Sequence, residues 1–210
     1  MTNFKVTFHL DGTGIIFNRH EPIHLDDLLN ACLSPLHRKK RGLSRTDTPD
    51  DIPLPVKSSL VRGVKVYHAS SLFPEGPQFE DVLYLRRRFD GERAHLTNGT
   101  YQLTNGANRN YNMPFQQLLI GKLSAYAVGK PSRTISLLKR NIRGLGKKRL
   151  GTIVDITAET ISEDWSFVKN GRAMRWLPDE YGFRDVRPRP PYFNTVGRIR
   201  CCEIGDSYDV

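Results

Sequence analysis

Two stretches of strict alternation, each partnered by a stretch of helical period, constrain this chain more than anything else in it. In "FKVTFHL" Phe4, Val6, Phe8 and Leu10 point one way and Lys5, Thr7 and His9 the other, as a half-buried strand requires. In "PIHLDDLLNACL" the period lengthens. Leu25, Leu28, Leu29, Cys32 and Leu33 share one helical face, Pro22 suits a first turn, and Asp26 and Asp27 lie near the positive end of the helix dipole. Further on, "PSRTISLLKRNI" reads as a second helix. Pro131 sits early, Ile135, Leu138 and Ile142 share a face, Lys139, Arg140 and Arg143 favour the negative end, and Gly144 is placed to stop it. "TIVDITAET" alternates again, with Val154, Ile156 and Ala158 opposite Asp155, Thr157 and Glu159.

Between these pairs the pattern is looser. "SPLHRKKRGLSRTDTPDDIPLPVKSS" has no sustained period and reads as a long loop or an extended hairpin, so residues 34–60 are expected to form a thumb-like insertion. "LVRGVKVYHAS" is strand-like, with Gly63 marking a bulge. "VLYLRRRFD" is a strand ending in three arginines, and "LTNGTYQLTNGANRNYNM" carries two Asn-Gly turn signals. "FQQLLIGKLSAYAV" is apolar and strand-like toward its end. From Ile161 the chain is rich in Trp, Arg and Pro, with short strand candidates such as "GRIRCCEI". The order strand, helix, strands, helix, strand predicts an α+β fold of the ferredoxin-like (RRM-like) βαββαβ type with long insertions. It would occupy residues 1–160, with a β-rich extension over 161–210 packing on it.

Charge indicates what such a fold would hold. There are 32 Lys and Arg against 22 Asp and Glu, a formal charge of +10. From Lys130 to Gly151 eight cations occur with no acid. Such a run predicts a polyanionic partner. Its centre, "GLGKKRLG", combines glycines, whose backbone amides a phosphate can approach closely, with lysines and an arginine that supply charge. The order helix, loop, strand excludes a P-loop and a dinucleotide-binding loop, both of which place the strand first. The plain alternative is a helix cap followed by a solvated basic turn. Tyr101, Tyr111 and Tyr126 are interleaved with "HRKKRGLSR", "RRRF" and "RNYNM", a combination suited to holding single-stranded RNA.

Catalytic signals are thin. None of the six histidines lies beside a nucleophile signature, and His9 and His24 read as structural. The three cysteines, Cys32, Cys201 and Cys202, follow neither metal-ligand nor disulfide spacing, so neither metal nor cofactor is expected and a cytoplasmic setting is the simplest one. No apolar run is long enough to span a membrane.

The helix, the Gly-apolar-Gly loop with its basic residues and the strand after it resemble the signature of the RAMP superfamily of CRISPR proteins. Together with "PIHLDDLLNACL", "NRNYNMPF", "YAVGKPSRTISLLKRNIRGLGKKRLG" and "RPRPPYFN", they resemble the third subunit of type IV CRISPR effector complexes, relatives of which cap the 5′ end of the guide RNA in type I complexes. The resemblance implies a non-catalytic prokaryotic, cytoplasmic subunit of a ribonucleoprotein for antiviral and antiplasmid defence. It would grip the repeat-derived 5′ handle of the crRNA. It would contact the backbone filament subunit, the large subunit and the crRNA-processing subunit, with target DNA and a helicase reached through the complex. On this reading Gly144, Gly146 and Gly151 give backbone access, Arg140, Arg143, Lys147, Lys148 and Arg149 hold phosphates, and Arg109 and Tyr111 assist at the handle. A metal-independent endoribonuclease that matures crRNA, and a basic RNA-binding protein outside CRISPR, are the competing readings.

Overall fold

The alternating stretch at the N-terminus becomes an inner strand of the main sheet. The structure is a computed structural model and describes residues 1–12, 14–16, 22–42, 52–87, 111–141 and 151–209. In chain order the elements are β1 (Thr2–Leu10), β2 (Ile15–Ile16), α1 (Leu25–Arg41), β3 (Ser58–Val61), β4 (Val64–Tyr67), β5 (Phe73–Glu75), β6 (Phe79–Arg87), β7 (Tyr111–Leu119), β8 (Lys122–Gly129), α2 (Pro131–Arg140), β9 (Ile153–Thr160), β10 (Val168–Lys169), β11 (Arg172–Ala173), β12 (Arg184–Val186) and β13 (Ile199–Cys201). The fold is α+β. Four strands form one antiparallel sheet in the order β5-β8-β1-β9, with α1 following β1 and α2 following β8 in the chain.

Register explains the core. Phe4, Val6 and Phe8 lie opposite Ala127, Ala125 and Leu123 of β8, and small residues on one strand leave room for large ones on the next. All three are fully buried, together with Leu25 and Leu29 of α1, Leu138 of α2 and Ile156 of β9. Each such side chain contributes about 1.5–3 kcal/mol by leaving water. The opposite face carries Lys5, whose ammonium bridges Glu159 of the neighbouring β9 at 3.4 Å and, past β8, Glu75 of β5 at 2.8 Å.

Four sequence expectations are corrected. Residues 34–41 are not part of a loop or hairpin: α1 continues through Pro35 to Arg41. Pro35 is exposed, so its ring meets no core, the Ser34 hydroxyl donates to the Asn30 carbonyl at 2.7 Å, and the exposed Lys39 suits the negative end of the helix. Of the rest of the expected thumb, residues 43–51 lie outside the described residues, while residues 52–60 pack on the domain, with Ile52 and Val56 buried, Val56 bridging to Gly129 and β3 beginning at Ser58. The long protruding hairpin is instead β6–β7, paired from Phe79↔Leu119 to Arg87↔Tyr111. Gly63 is no bulge; Arg62 (φ 47°) and Gly63 (φ 78°) form the two-residue turn of the β3–β4 hairpin, where right-handed strand twist favours two positive φ values. Val154, expected inside, is 64 % exposed. His9 pairs with Asp155 but Leu10 with Ile153, so Val154 is the extra residue of a bulge, and both Ile153 and Ile156 turn inward. "FQQLLIGKLSAYAV" divides into β7 and β8 around Ile120–Gly121.

Residues 161–209 pack on the β3–β4 hairpin and the start of α1. Val66 is buried with Phe167, Ala173, Leu177, Cys202 and Tyr208. Arg175, fully buried, donates to the carbonyls of Tyr67, Ala69 and Pro188 and pairs with Asp26 of α1 at 3.1 Å. The Tyr192 hydroxyl reaches both Asp26 oxygens at 2.9 and 3.0 Å.

Candidate nucleic-acid interface

The glycine loop is visible in the structure through its two anchors. On the helix side, α2 ends at Arg140. The Asn141 side chain donates to the Leu137 carbonyl at 2.9 Å, and Lys139 pairs with Asp155 of β9 at 2.7 Å. That hydrogen bond holds the Asp155 carboxyl below its ordinary value. On the strand side, Gly151 has φ +63°, and a Cβ on it would lie 2.6 Å from the Gly14 carbonyl oxygen. Gly14 (φ +88°) lies so close to the Gln117 side chain of β7 that a Cβ on it would collide there. Ile15 then pairs with Leu118.

These contacts put three things at one end of the sheet. The Leu10 amide donates to the Gly121 carbonyl at 2.8 Å and the Asp11 amide to the Thr152 carbonyl at 3.2 Å. The loop's exit, the C-terminal end of β1 and the base of the β6–β7 arm are therefore neighbours. The arm runs outward from there to Arg87 opposite Tyr111. Arg140 is exposed at the loop's entrance; Lys130, the N-cap of α2, and Arg133 in its first turn are exposed at the helix's other end. Arg143, Gly144, Gly146, Lys147, Lys148 and Arg149, and Arg109 with Tyr101, lie outside the described residues. Of the site residues expected from sequence, Arg140, Gly151 and Tyr111 are placed: Arg140 and Gly151 flank the loop, and Tyr111 lies at the far end of the arm from its base beside Gly151. For Gly151 the structure adds a packing reason, its approach to Gly14, that the sequence reading did not contain.

Charge is divided between the parts of the chain. Eight cations and eight acids lie in residues 161–210, so residues 1–160 carry the whole +10. Long-range attraction of a polyanion therefore acts on the sheet, helices and loop rather than on the C-terminal segment.

Several residues of the sequence reading have other duties. Tyr126, a candidate for base stacking, is 6 % exposed. Trp165 packs edge-on against it at 5.2 Å, and Lys169 donates to its hydroxyl at 3.0 Å. "RPRPPYFN" supplies Tyr192 to the buried Arg175–Asp26 pair. Burial pushes the Asp26 carboxyl up, against the pull of the guanidinium and the tyrosine hydroxyl. His24 is a core histidine between Trp176 and Tyr192, at 4.7 and 4.5 Å between ring centres. Burial, and then Arg175, hold it well below its ordinary value, so it is neutral. Burial likewise pushes the Cys201 and Cys202 thiols up to about 12 and about 11. Among the described residues no three His, Cys, Asp or Glu side chains are grouped to hold a metal ion, and no helix is long and apolar enough to cross a membrane. Sequence reasoning missed the grouping of Ser59, His68 and Asp164, because Asp164 is remote in the chain and no local signature joins the three.

Comparison with known proteins adds no relative. No family model matches the chain, and no curated protein matches it.

Proposed function

We propose that this chain is an RNA-binding subunit of the RAMP type, built on a ferredoxin-like domain and non-catalytic toward its RNA, that holds the 5′ handle of a crRNA within a type IV CRISPR ribonucleoprotein. The strand order β5-β8-β1-β9 supports the ferredoxin-like assignment. Counted along the chain, β1, β5, β8 and β9 are the first to fourth strands of this sheet, which gives 2-3-1-4 across it with a helix after the first and the third. The observation that carries the functional reading is the meeting of the loop's exit with the base of the β6–β7 arm at one end of β1. An acid-free loop and a hairpin leading into arginines start from the same place, so one strand of RNA can lie across both. In this reading the arm is the thumb, the loop amides and Lys147, Lys148 and Arg149 hold phosphates, and Arg109 and Tyr111 assist. Backbone and large subunits would contact the assembled protein, with target DNA reached through them.

The test is equilibrium binding of labelled repeat-derived RNA in a chelator, with the products run on a denaturing gel. The reading expects tight binding of RNA carrying the 5′ handle, weaker binding of a scrambled handle, and uncut RNA. A defined cleavage product would move the protein to the ribonuclease class, and equal affinity for both RNAs would remove the handle.

A further inference from the structure

At the opposite end of the sheet, next to the extension, a second polar cluster is built with catalytic geometry. Val56 bridges to Gly129 at the far end of β8, and the β3–β4 hairpin follows. Ser59 Oγ lies 2.6 Å from His68 Nε2, and His68 Nδ1 lies 3.0 Å from Asp164 Oδ2. The second oxygen of Asp164 accepts from the Ser166 amide at 2.9 Å and from the Ser166 hydroxyl. The His68 ring stacks on Phe167 at 4.2 Å, so its plane is fixed. These contacts hold the Asp164 carboxylate ionised, down at about 2 against its own burial. An ionised carboxylate on Nδ1 fixes the tautomer that leaves Nε2 free to accept the serine proton.

An oxyanion donor is also at hand. Ser59 pairs with Val66 and Val61 with Val64 in a two-residue hairpin. Alternate pairs exchange both backbone hydrogen bonds, so the amide of Leu60 points to the outer edge of β3. No strand pairs with that edge among the described residues, and Leu60 is 73 % exposed. The amide following the nucleophile is a common oxyanion donor in acyl-transfer sites.

We propose that Ser59, His68 and Asp164 form a hydrolytic triad acting on activated esters. Ser59 Oγ bonds to the ester carbonyl carbon while His68 Nε2 takes its proton. Collapse breaks the ester C–O bond, and the alcohol leaves with that proton. Water then adds to the acyl-serine, giving its proton to His68, which returns it to Ser59 Oγ as the carboxylic acid departs. Asp164 is the positioning residue. The cluster is remote from the loop and the arm, so loss of one function leaves the other measurable.

The full chain is treated with a fluorophosphonate, with mass mapping of the adduct, and separately with p-nitrophenyl acetate. The expected result is one adduct on Ser59, absent in Ser59→Ala. His68→Gln should slow both reactions at least about 100-fold, and Asp164→Asn should slow hydrolysis and displace its pH profile. The Ser59→Ala melt identifies a misfolded variant, and wild-type labelling stands without any variant. No Ser59 adduct on the wild-type chain overturns the proposal. So does undiminished reaction in His68→Gln, which would leave the cluster as a clasp on the extension.

Discussion

Arg175 shows how much one residue holds. It is fully buried, touches the end of β4 through the Tyr67 carbonyl and the segment after it through the Ala69 carbonyl, α1 through Asp26, and its own extension through Pro188 and Tyr192. A buried ion pair is not by itself strong evidence for stability, because desolvation opposes it. Removing one partner is a different matter, since it strands the other charge. Arg175→Ala should therefore cost about 3–5 kcal/mol, lowering the melting temperature by on the order of 10 °C for a chain of this size. Tyr192→Phe, which removes a hydroxyl but no charge, should cost about 1–3 kcal/mol. Denaturant titration of both variants checks the order. An Arg175→Ala variant less affected than Tyr192→Phe would contradict the role given to the pair.

At the scale of elements, the glycine that ends the loop makes a prediction separate from RNA. Gly151 has a positive φ and no room for a Cβ against the Gly14 carbonyl. Gly151→Val should destabilise the fold by at least about 1–3 kcal/mol whether or not RNA is present. A wild-type melt for this variant would show that the loop is not anchored there. The same elements show what could be read beforehand. β1 and the buried half of α1 were legible because one apolar face repeats at period 2 or 3.6, whereas β9 was legible as a strand but not in which of its residues turn inward. The continuation of α1 past Ser34 was not, since a polar, proline-containing segment shows no such face. The inversion at Val154 depends on the register with β1, which is a property of two strands together. The loop stood out through charge and glycine alone. The Arg175–Asp26–Tyr192 and Ser59–His68–Asp164 clusters did not, because each joins residues that only tertiary packing brings together.

For the whole molecule the charge division is decisive. A body at +10 and a neutral extension should bind nucleic acid with strong salt dependence. The logarithm of affinity for handle RNA should fall linearly with the logarithm of salt, by about 0.7 for each phosphate neutralised. Deleting charge from the extension, as in Arg198→Ala with Arg200→Ala, should leave that slope unchanged. A slope near zero in the wild type would contradict phosphate binding. The central claim is that the loop holds RNA through its backbone as well as its charge, and one paired measurement tests it most directly. Gly146→Val and Lys148→Ala are each assayed for thermal melting and for affinity to handle RNA. A valine blocks close approach to the amide, whereas Lys148 is one cation among several. Gly146→Val is expected to melt cooperatively near the wild-type temperature and to lose handle binding, while Lys148→Ala binds modestly more weakly with a shallower salt slope. A Gly146→Val protein that folds and binds RNA as the wild type does would contradict the account.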